Sequence, residues 1–164
     1  MKYQNVMVAD QPRYQRNGKL DIDSVELKVV DFGIFGSNAG FRMENVNCGS
    51  VKYMAPELLK GDMRSTPKID VWALGLMLHG FVFGFLPFNH RDVEKLKEMI
   101  KEEELDYKLI KRLKPNTIKI ESRLEMNNLL RKTSNELIDL ILKMLNKDPD
   151  ERIPIIEIYE HPWI

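Results

Sequence analysis

The apolar positions of this chain fall first into two short runs near the start, with turn residues between them. Val6-Met7-Val8 is an apolar run of strand length, and residues 27–30, which are apolar except for Lys28, form a second one. Asn17-Gly18 lies between them and favours a tight hairpin turn of type I′. The pattern therefore predicts an antiparallel hairpin with a long excursion between its two strands.

The pattern after residue 54 is helical. Residues 55–60 predict a short helix beginning near Pro56, and Ser65-Thr66-Pro67 predicts a capped start for a long helix over residues 68–83. The long helix is apolar on nearly every side, which is typical of a helix surrounded by protein. Further helices are predicted over residues 92–104, after a capping box of Thr133 and Glu136, and from Pro154. The stripe after the capping box consists of Leu137, Ile138, Ile141, Leu142 and Leu145. The expected fold class is mainly α with a small β-hairpin at the N-terminus.

Composition narrows the class of protein. The 164 residues make one domain's worth of chain, and 25 basic residues balance 25 acidic ones. A balanced chain has no electrostatic footprint for nucleic acid or anionic lipid, so neither partner is expected. The single cysteine, Cys48, excludes a disulfide scaffold and indicates an intracellular, cytoplasmic protein; we expect it to be a small buried hydrophobe.

The apolar run over residues 71–88 has nearly the length of a membrane span. It contains His79 and three glycines, ends at Pro87 and is flanked by Asp70. A span needs about 20 predominantly apolar residues, so we expect a buried helix and no membrane association. Trp72, within this run, is expected to serve only the core.

Four motifs carry the functional information, and their order matters. They are Asp31-Phe32-Gly33, Ala55-Pro56-Glu57, Asp70-Val71-Trp72, and Asp148-Pro149-Asp150-Glu151-Arg152 followed by His161-Pro162-Trp163. In this order they resemble the C-terminal lobe of a eukaryotic Ser/Thr protein kinase, nearest to the calmodulin-dependent and related kinases. The resemblance covers essentially the whole chain and implies a kinase-like large lobe with the N-terminal lobe absent.

The first residues also resemble a kinase. Lys2-Tyr3-Gln4-Asn5 matches the end of the catalytic loop, H-R-D-L-x-x-x-N. The catalytic Asp, the Gly-rich loop and the phosphate-binding Lys would then lie before Met1, which we hypothesise to be an internal methionine of a longer protein. The resemblance divides the partial kinase domain, 1–164, into the end of the catalytic loop (1–8), an inserted hairpin (9–26), an activation segment (31–57) and a helical subdomain (58–164).

The resemblance implies a site for ATP and Mg²⁺. Asp31 and Asn5 would hold the metal, and Asp31 would also contact the nucleotide through it. Lys2 would approach the transferred phosphate, and Val6 and Met7 would form the apolar floor under the adenine. The alternatives are a plain turn residue for Asn5, a solvated surface charge for Lys2 and ordinary core packing for the two apolar residues.

Other roles that the resemblance implies concern the peptide substrate. Ser50, Lys52 and Tyr53 would belong to the loop that seats a protein substrate, and Ser50 would orient the catalytic Asp. Gln4 stands where many such kinases have Glu, which argues against a preference for basic residues before the phosphosite. Residues 42–47 contain no Ser or Thr, so the usual activation-loop phosphosite is expected to be absent.

The remaining implied roles are structural. Phe32 would pack beneath the missing helix of the small lobe, Gly33 would act as a hinge, and Asp70 would cap and hold the catalytic loop backbone. Glu57 and Arg152 would form a buried ion pair tying the activation segment to the lobe.

The function expected from the resemblance is ATP-dependent phosphoryl transfer to protein Ser or Thr by the full-length protein. The 164 residues alone are expected to be inactive. The alternative is a non-catalytic kinase-like module that binds a partner through the peptide platform or through the expanded residues 89–132. The long apolar helix is expected to leave one face open, which predicts self-association.

Overall fold

The computed structural model describes residues 2–30, 51–62, 66–105 and 134–164. Two strands come first, β1 (Val6–Val8) and β2 (Leu27–Val29). Five helices follow in the described ranges: α1 (Pro56–Leu59), α2 (Pro67–Phe83), α3 (Val93–Glu102), α4 (Asn135–Met144) and α5 (Ile155–Ile158). Short 3₁₀ turns occupy Tyr3–Asn5 and Ile22–Ser24. The helical character and the small antiparallel sheet agree with the expected fold class.

The two strands pair antiparallel, as predicted, with Val6 opposite Val29 and Val8 opposite Leu27. Backbone hydrogen bonds extend the pairing at both ends. The Val30 amide donates to the Asn5 carbonyl at 2.8 Å, and the Ala9 amide donates to the Glu26 carbonyl at 2.8 Å. The segment between the strands therefore leaves and re-enters the sheet at adjacent points.

The hairpin tip lies where Asn17-Gly18 predicted it, but the prediction of a type I′ turn is wrong. The Gly18 amide donates to the Gln15 carbonyl, and the Gln15 amide donates to the Lys19 carbonyl. Arg16 and Asn17 are thus the central residues of the turn, and Gly18 follows them with a φ of 78°. This is the three-residue hairpin loop, in which glycine takes the left-handed position after the turn.

Helix α2 runs through the middle of the helical part. Pro67 opens it after Thr66, and Gly84, with a φ of 79°, ends it in the left-handed conformation that glycine adopts at little cost. The Thr66 side chain forms no cap hydrogen bond, and Ser65, the other predicted capping hydroxyl, lies outside the described residues. The buried positions are Val71, Trp72, Ala73, Gly75, Leu76, Met77, His79 and Phe83.

The burial along α2 changes one expectation. Between residues 71 and 83 its side chains are buried or half-buried except for Phe81, which is 75% exposed. Half of the large exposed apolar side chains lie on the N-terminal hairpin, among them Met7, Val8, Leu20, Ile22, Leu27 and Val29, and most of the others lie on α5 and the residues that follow it. The apolar face predicted to be open along residues 71–83 is thus limited to the exposed Phe81 and the half-buried Leu74, Leu78 and Val82, and the hairpin exposes further apolar side chains.

Helices α3 and α4 both begin with a side-chain cap. The Asp92 carboxylate accepts hydrogen bonds from the Glu94 and Lys95 amides. The Ser134 hydroxyl accepts from the Leu137 amide at 3.1 Å, so α4 is capped one residue later than the predicted box. Thr133 lies outside the described residues.

The buried stripe of α4 also differs from the predicted one. Leu137, Ile141 and Leu145 are buried as expected, whereas Leu142 is 39% exposed. Leu140 and Met144 complete the buried face, and both belong to the cluster that packs on α2. None of the helices described is long and apolar enough to cross a membrane.

Candidate functional site

Asn5 lies directly opposite the residue that precedes Asp31. It ends the 3₁₀ turn Tyr3–Asn5, where its amide donates to the Lys2 carbonyl at 2.9 Å. Its own carbonyl accepts the Val30 amide across the sheet at 2.8 Å. Asp31 itself lies outside the described residues, as do Phe32, Gly33, Cys48 and Ser50. The described backbone thus brings Asn5 next to the chain position from which Asp31 extends.

The chemistry of Asn5 suits a hard cation. Its side chain makes no hydrogen bond with any described residue, so its amide oxygen is available. Mg²⁺ prefers oxygen ligands and binds through one or two protein groups together with phosphates. Within the described ranges, no cluster of three or more His, Cys, Asp or Glu side chains could hold a metal.

The other residues expected near the nucleotide occupy the same strand and turn. Lys2 and Val6 are partly buried, and the Met7 side chain is 55% exposed. A partly exposed apolar strand beside a lysine is compatible with the expected floor under the adenine. Val6 is only partly buried, so the alternative of ordinary core packing does not describe it fully.

Tyr3 connects this turn to helix α2, a contact that the sequence did not indicate. Its hydroxyl donates to the Met77 carbonyl at 2.6 Å. Its ring contacts Phe81 edge-on at 4.9 Å and Tyr53 edge-on at 6.0 Å. Burial, and next the neighbouring Tyr53, raise the pKa of Tyr3 above its usual value, and burial alone raises the pKa of Tyr53.

The expected substrate loop is described from residue 51 onward. The Lys52 ammonium donates to the Asn89 side chain at 2.9 Å, which joins this loop to the start of the expanded 89–132 region. Tyr53 faces Tyr3, so the loop and the turn of residues 2–5 are neighbours. The structure therefore places Tyr53 beside the turn that contains Asn5, and it ties Lys52 to Asn89.

Glu57 and Arg152 form the expected buried pair. Two hydrogen bonds of 2.7 and 2.8 Å join the Arg152 guanidinium to both carboxylate oxygens of Glu57. Arg152 is only 1% exposed and Glu57 only 6%. Arg152 also donates to the carbonyls of Asn146 and Lys68 and lies 5.2 Å from the centre of the Trp72 ring. The pair ties α1, α2 and the segment after α4 together. Asp70, in the first turn of α2, is exposed at its surface.

A second cation, the half-buried Lys147, was not foreseen. Lys147 donates to the Ile100 carbonyl at 2.5 Å, near the end of α3, and its ammonium lies 4.6 Å from the centre of the Phe88 ring. Burial lowers its pKa to about 8. A lysine at a helix C-terminus satisfies carbonyls that the helix leaves without partners. The adjacent Asp148-Pro149 signal indicated a helix end but not this contact.

The sequence of this chain was also compared with those of known proteins and protein families. The family model described as the protein kinase domain matches residues 1–164. Sperm motility kinase 3A of Mus musculus is 30% identical over 164 residues, which is 100% of this chain and 26% of the relative. The SNF-related serine/threonine-protein kinase of Homo sapiens is 31% identical over 138 residues, 84% of this chain and 15% of the relative. The SNF1-related protein kinase catalytic subunit alpha KIN12 of Arabidopsis thaliana is 31% identical over 137 residues, 84% of this chain and 23% of the relative.

The chain spans about a quarter or less of the length of these relatives, between 15% and 26%. The family model nevertheless covers every residue, including the hairpin and the α1 to α5 region. These matches confirm the resemblance drawn from the four motifs: the chain belongs to the protein kinase domain family, on the side of the eukaryotic serine/threonine kinases.

Proposed function

We propose that this chain is the large-lobe part of a protein kinase that transfers the γ-phosphate of ATP to Ser or Thr in proteins. The observation that carries the proposal is the pairing of Asn5 with Val30 across the sheet, in a chain that the kinase family model matches throughout. It supports the division into the end of a catalytic loop (1–8), an inserted hairpin (9–26), an activation segment (31–57) and a helical subdomain (58–164).

Asn5 and Asp31 are the proposed magnesium ligands. The amide oxygen of one and the carboxylate of the other form the hard-oxygen donor set that Mg²⁺ takes together with phosphates. The bound metal would supply charge neutralisation on the nucleotide phosphates. The chain itself contributes the position of Asn5, fixed by the sheet bond to Val30, and the position of Lys2 one turn earlier.

Val6 and Met7 are the proposed apolar contacts of the adenine. They belong to β1, directly after Asn5, so one short segment would contact both the base and the metal. Lys2, with its ammonium group free of any described partner, is proposed to neutralise charge on the transferred phosphate, a role in which positioning and charge account for most of the catalysis.

The proposed protein-substrate surface is the loop of Ser50, Lys52 and Tyr53. Lys52 is held by Asn89 at 2.9 Å, and Tyr53 packs on Tyr3, so the loop is anchored on both sides. Glu57 and Arg152 fix its far end against the helical core. Phe32 and Gly33 are proposed as the packing residue and hinge of the activation segment, and Asp70 as a support of the catalytic loop.

The test is phosphate transfer by the complete protein from γ-labelled ATP to mixed Ser, Thr and Tyr peptides. We expect label on Ser or Thr peptides, and loss of transfer in Asp31→Asn. The matched control is Asp10→Asn, an exposed carboxylate in the inserted hairpin, which should keep the activity. Transfer that survives Asp31→Asn, or a complete protein that binds a partner but transfers nothing, would favour the non-catalytic module. The 164-residue chain by itself is expected to give only background transfer.

A further inference from the structure

Tyr3 lies between Lys2 and Asn5, at a position where the kinase loop motif prescribes no residue. We propose that Tyr3 is a positioning residue that fixes the turn of residues 2–5 against helix α2 and thereby holds the Asn5 side chain in place for the metal. The proposal rests on the function proposed above and adds the residue that connects the metal site to the helical core.

The first contact is the hydroxyl. Tyr3 donates to the Met77 carbonyl, an oxygen in the middle of α2, at 2.6 Å. A backbone carbonyl has two lone pairs, so it can accept this bond in addition to its own helical one.

The second contact is the close approach of the ring to Gly80. A Cβ atom at position 80 would overlap the Tyr3 hydroxyl and lie 3.1 Å from Cζ of its ring. Glycine in a helix interior weakens the helix relative to alanine, so its presence here fits a need for space. Phe81 and Tyr53 also contact the Tyr3 ring, each in an edge-on arrangement. The ring therefore occupies a pocket on α2 that a glycine makes possible.

The turn transmits this anchor to Asn5. The Asn5 amide donates to the Lys2 carbonyl at 2.9 Å, and the Val6 amide donates to the Tyr3 carbonyl. The Asn5 carbonyl then accepts the Val30 amide at 2.8 Å. A displacement of Tyr3 from α2 would displace both neighbours, since each is held within one tight turn.

The first experiment measures the Tyr3–Gly80 coupling without any activity. Thermal unfolding of the chain is compared for Gly80→Ala in the native background and in the Tyr3→Ala background. We expect Gly80→Ala to lower the melting temperature when Tyr3 is present, because the new methyl group overlaps the Tyr3 hydroxyl. In the Tyr3→Ala background it should leave the melting temperature unchanged or raise it. An equal effect in both backgrounds would overturn the proposed contact.

The second experiment measures positioning. Tyr3→Phe keeps the ring and removes only the bond to Met77; its control is Tyr14→Phe, whose side chain is 67% exposed on the hairpin. In the complete protein we expect Tyr3→Phe to lower kcat roughly tenfold or more. KM for the peptide should stay unchanged, and the Mg²⁺ concentration for half-maximal rate should rise. A merely structural role would lower the melting temperature without changing the Mg²⁺ dependence. Native kcat and native Mg²⁺ dependence in Tyr3→Phe would overturn the proposal.

A third measurement separates this proposal from the proposed function. If the unsubstituted complete protein transfers no phosphate, the proposed function fails, and the anchoring of Asn5 is then measured by amide hydrogen exchange. We expect the Asn5 and Val6 amides to exchange faster in Tyr3→Phe than in Tyr14→Phe. Equal exchange in the two variants would overturn the positioning role.

Discussion

The guanidinium of Arg152 donates two hydrogen bonds, of 2.7 and 2.8 Å, to the carboxylate of Glu57, although 95 positions separate the two residues in the chain. Both groups are buried, and Arg152 also donates to the carbonyls of Lys68 and Asn146. The Arg152 side chain thus connects α1, α2 and the segment that follows α4 by hydrogen bonds.

Removing one partner of this pair should be costly. Arg152→Met leaves the Glu57 carboxylate buried without its partner, and we expect the free energy of unfolding to fall by about 3–5 kcal/mol. The control is Lys143→Met, which breaks a half-exposed pair with Asp139 and should cost about 1 kcal/mol or less. Denaturant titration of both variants measures the difference. Equal losses would show that burial of the Glu57–Arg152 pair contributes nothing extra.

The contact of α2 with α4 depends on a missing side chain. A Cβ at Gly75 would lie 2.9 Å from Cβ of Met144 and 2.9 Å from Cδ2 of Leu145. Because Met144 Cβ is fixed to the backbone, Gly75→Ala should force the helices apart. Overpacking of this kind costs about 1–3 kcal/mol, against a gain of up to about 1 kcal/mol in helix propensity. A variant at least as stable as the native chain in denaturant titration would contradict the tight packing.

His79 predicts a pH dependence of stability. Its Nδ1 donates to the Phe85 carbonyl, and burial, which outweighs this bond, lowers its pKa from 6.5 to about 4. The unfolded chain therefore takes up a proton as the pH falls through 6.5, while the folded chain does so only near 4. Stability should be complete above about pH 6.5 and decline towards pH 4, by on the order of 3 kcal/mol.

The measurement for His79 is the free energy of unfolding between pH 7 and pH 4. We expect His79→Gln, although less stable at neutral pH, to lose most of the slope. His90→Gln, at the N-terminal end of α3, is the control and should retain it. The carboxyls of Asp92 and Asp139, whose pKa values are lowered by hydrogen bonds from backbone amides and from Lys143 respectively, contribute below this window. A native slope in His79→Gln would contradict the assignment.

The exposed apolar hairpin predicts association of the 164-residue chain. Ile22 is 77% exposed and Leu27 is 61% exposed, and large apolar side chains open to water favour self-association. The double variant Ile22→Ser with Leu27→Thr should bind less hydrophobic dye and sediment as smaller species. Ile156→Ser, which removes a 66% exposed side chain from α5, is the control. A monomeric native chain that binds no dye would contradict the prediction.

The sequence predicted those features that one local signal determines. Short apolar runs indicated both strands, Pro67 indicated the start of α2, and the kinase motifs paired Glu57 with Arg152 across the fold. In each case the residue types at that spacing are compatible with few other local structures.

The errors arose where two residues satisfy the same local rule. Thr133 and Ser134 are both capping residues, and only the backbone of α4 decides for Ser134. Asn17-Gly18 suits two hairpin turns, and the choice depends on the pairing of Gln15 with Lys19. The Tyr3 contact was missed because the motif leaves its position open and because Gly80 is distant in sequence.

The most direct test of the central claim is whether Asn5 and Asp31 share one metal ion. In the complete protein, labelled on asparagine, Mn²⁺ with ATP replaces Mg²⁺, and paramagnetic broadening of side-chain amide signals is measured. We predict that the Asn5 signal broadens strongly while that of Asn17, at the hairpin tip, does not, and that Asp31→Asn abolishes the effect. An Asn5 signal that stays sharp, or broadening that survives Asp31→Asn, would contradict the account.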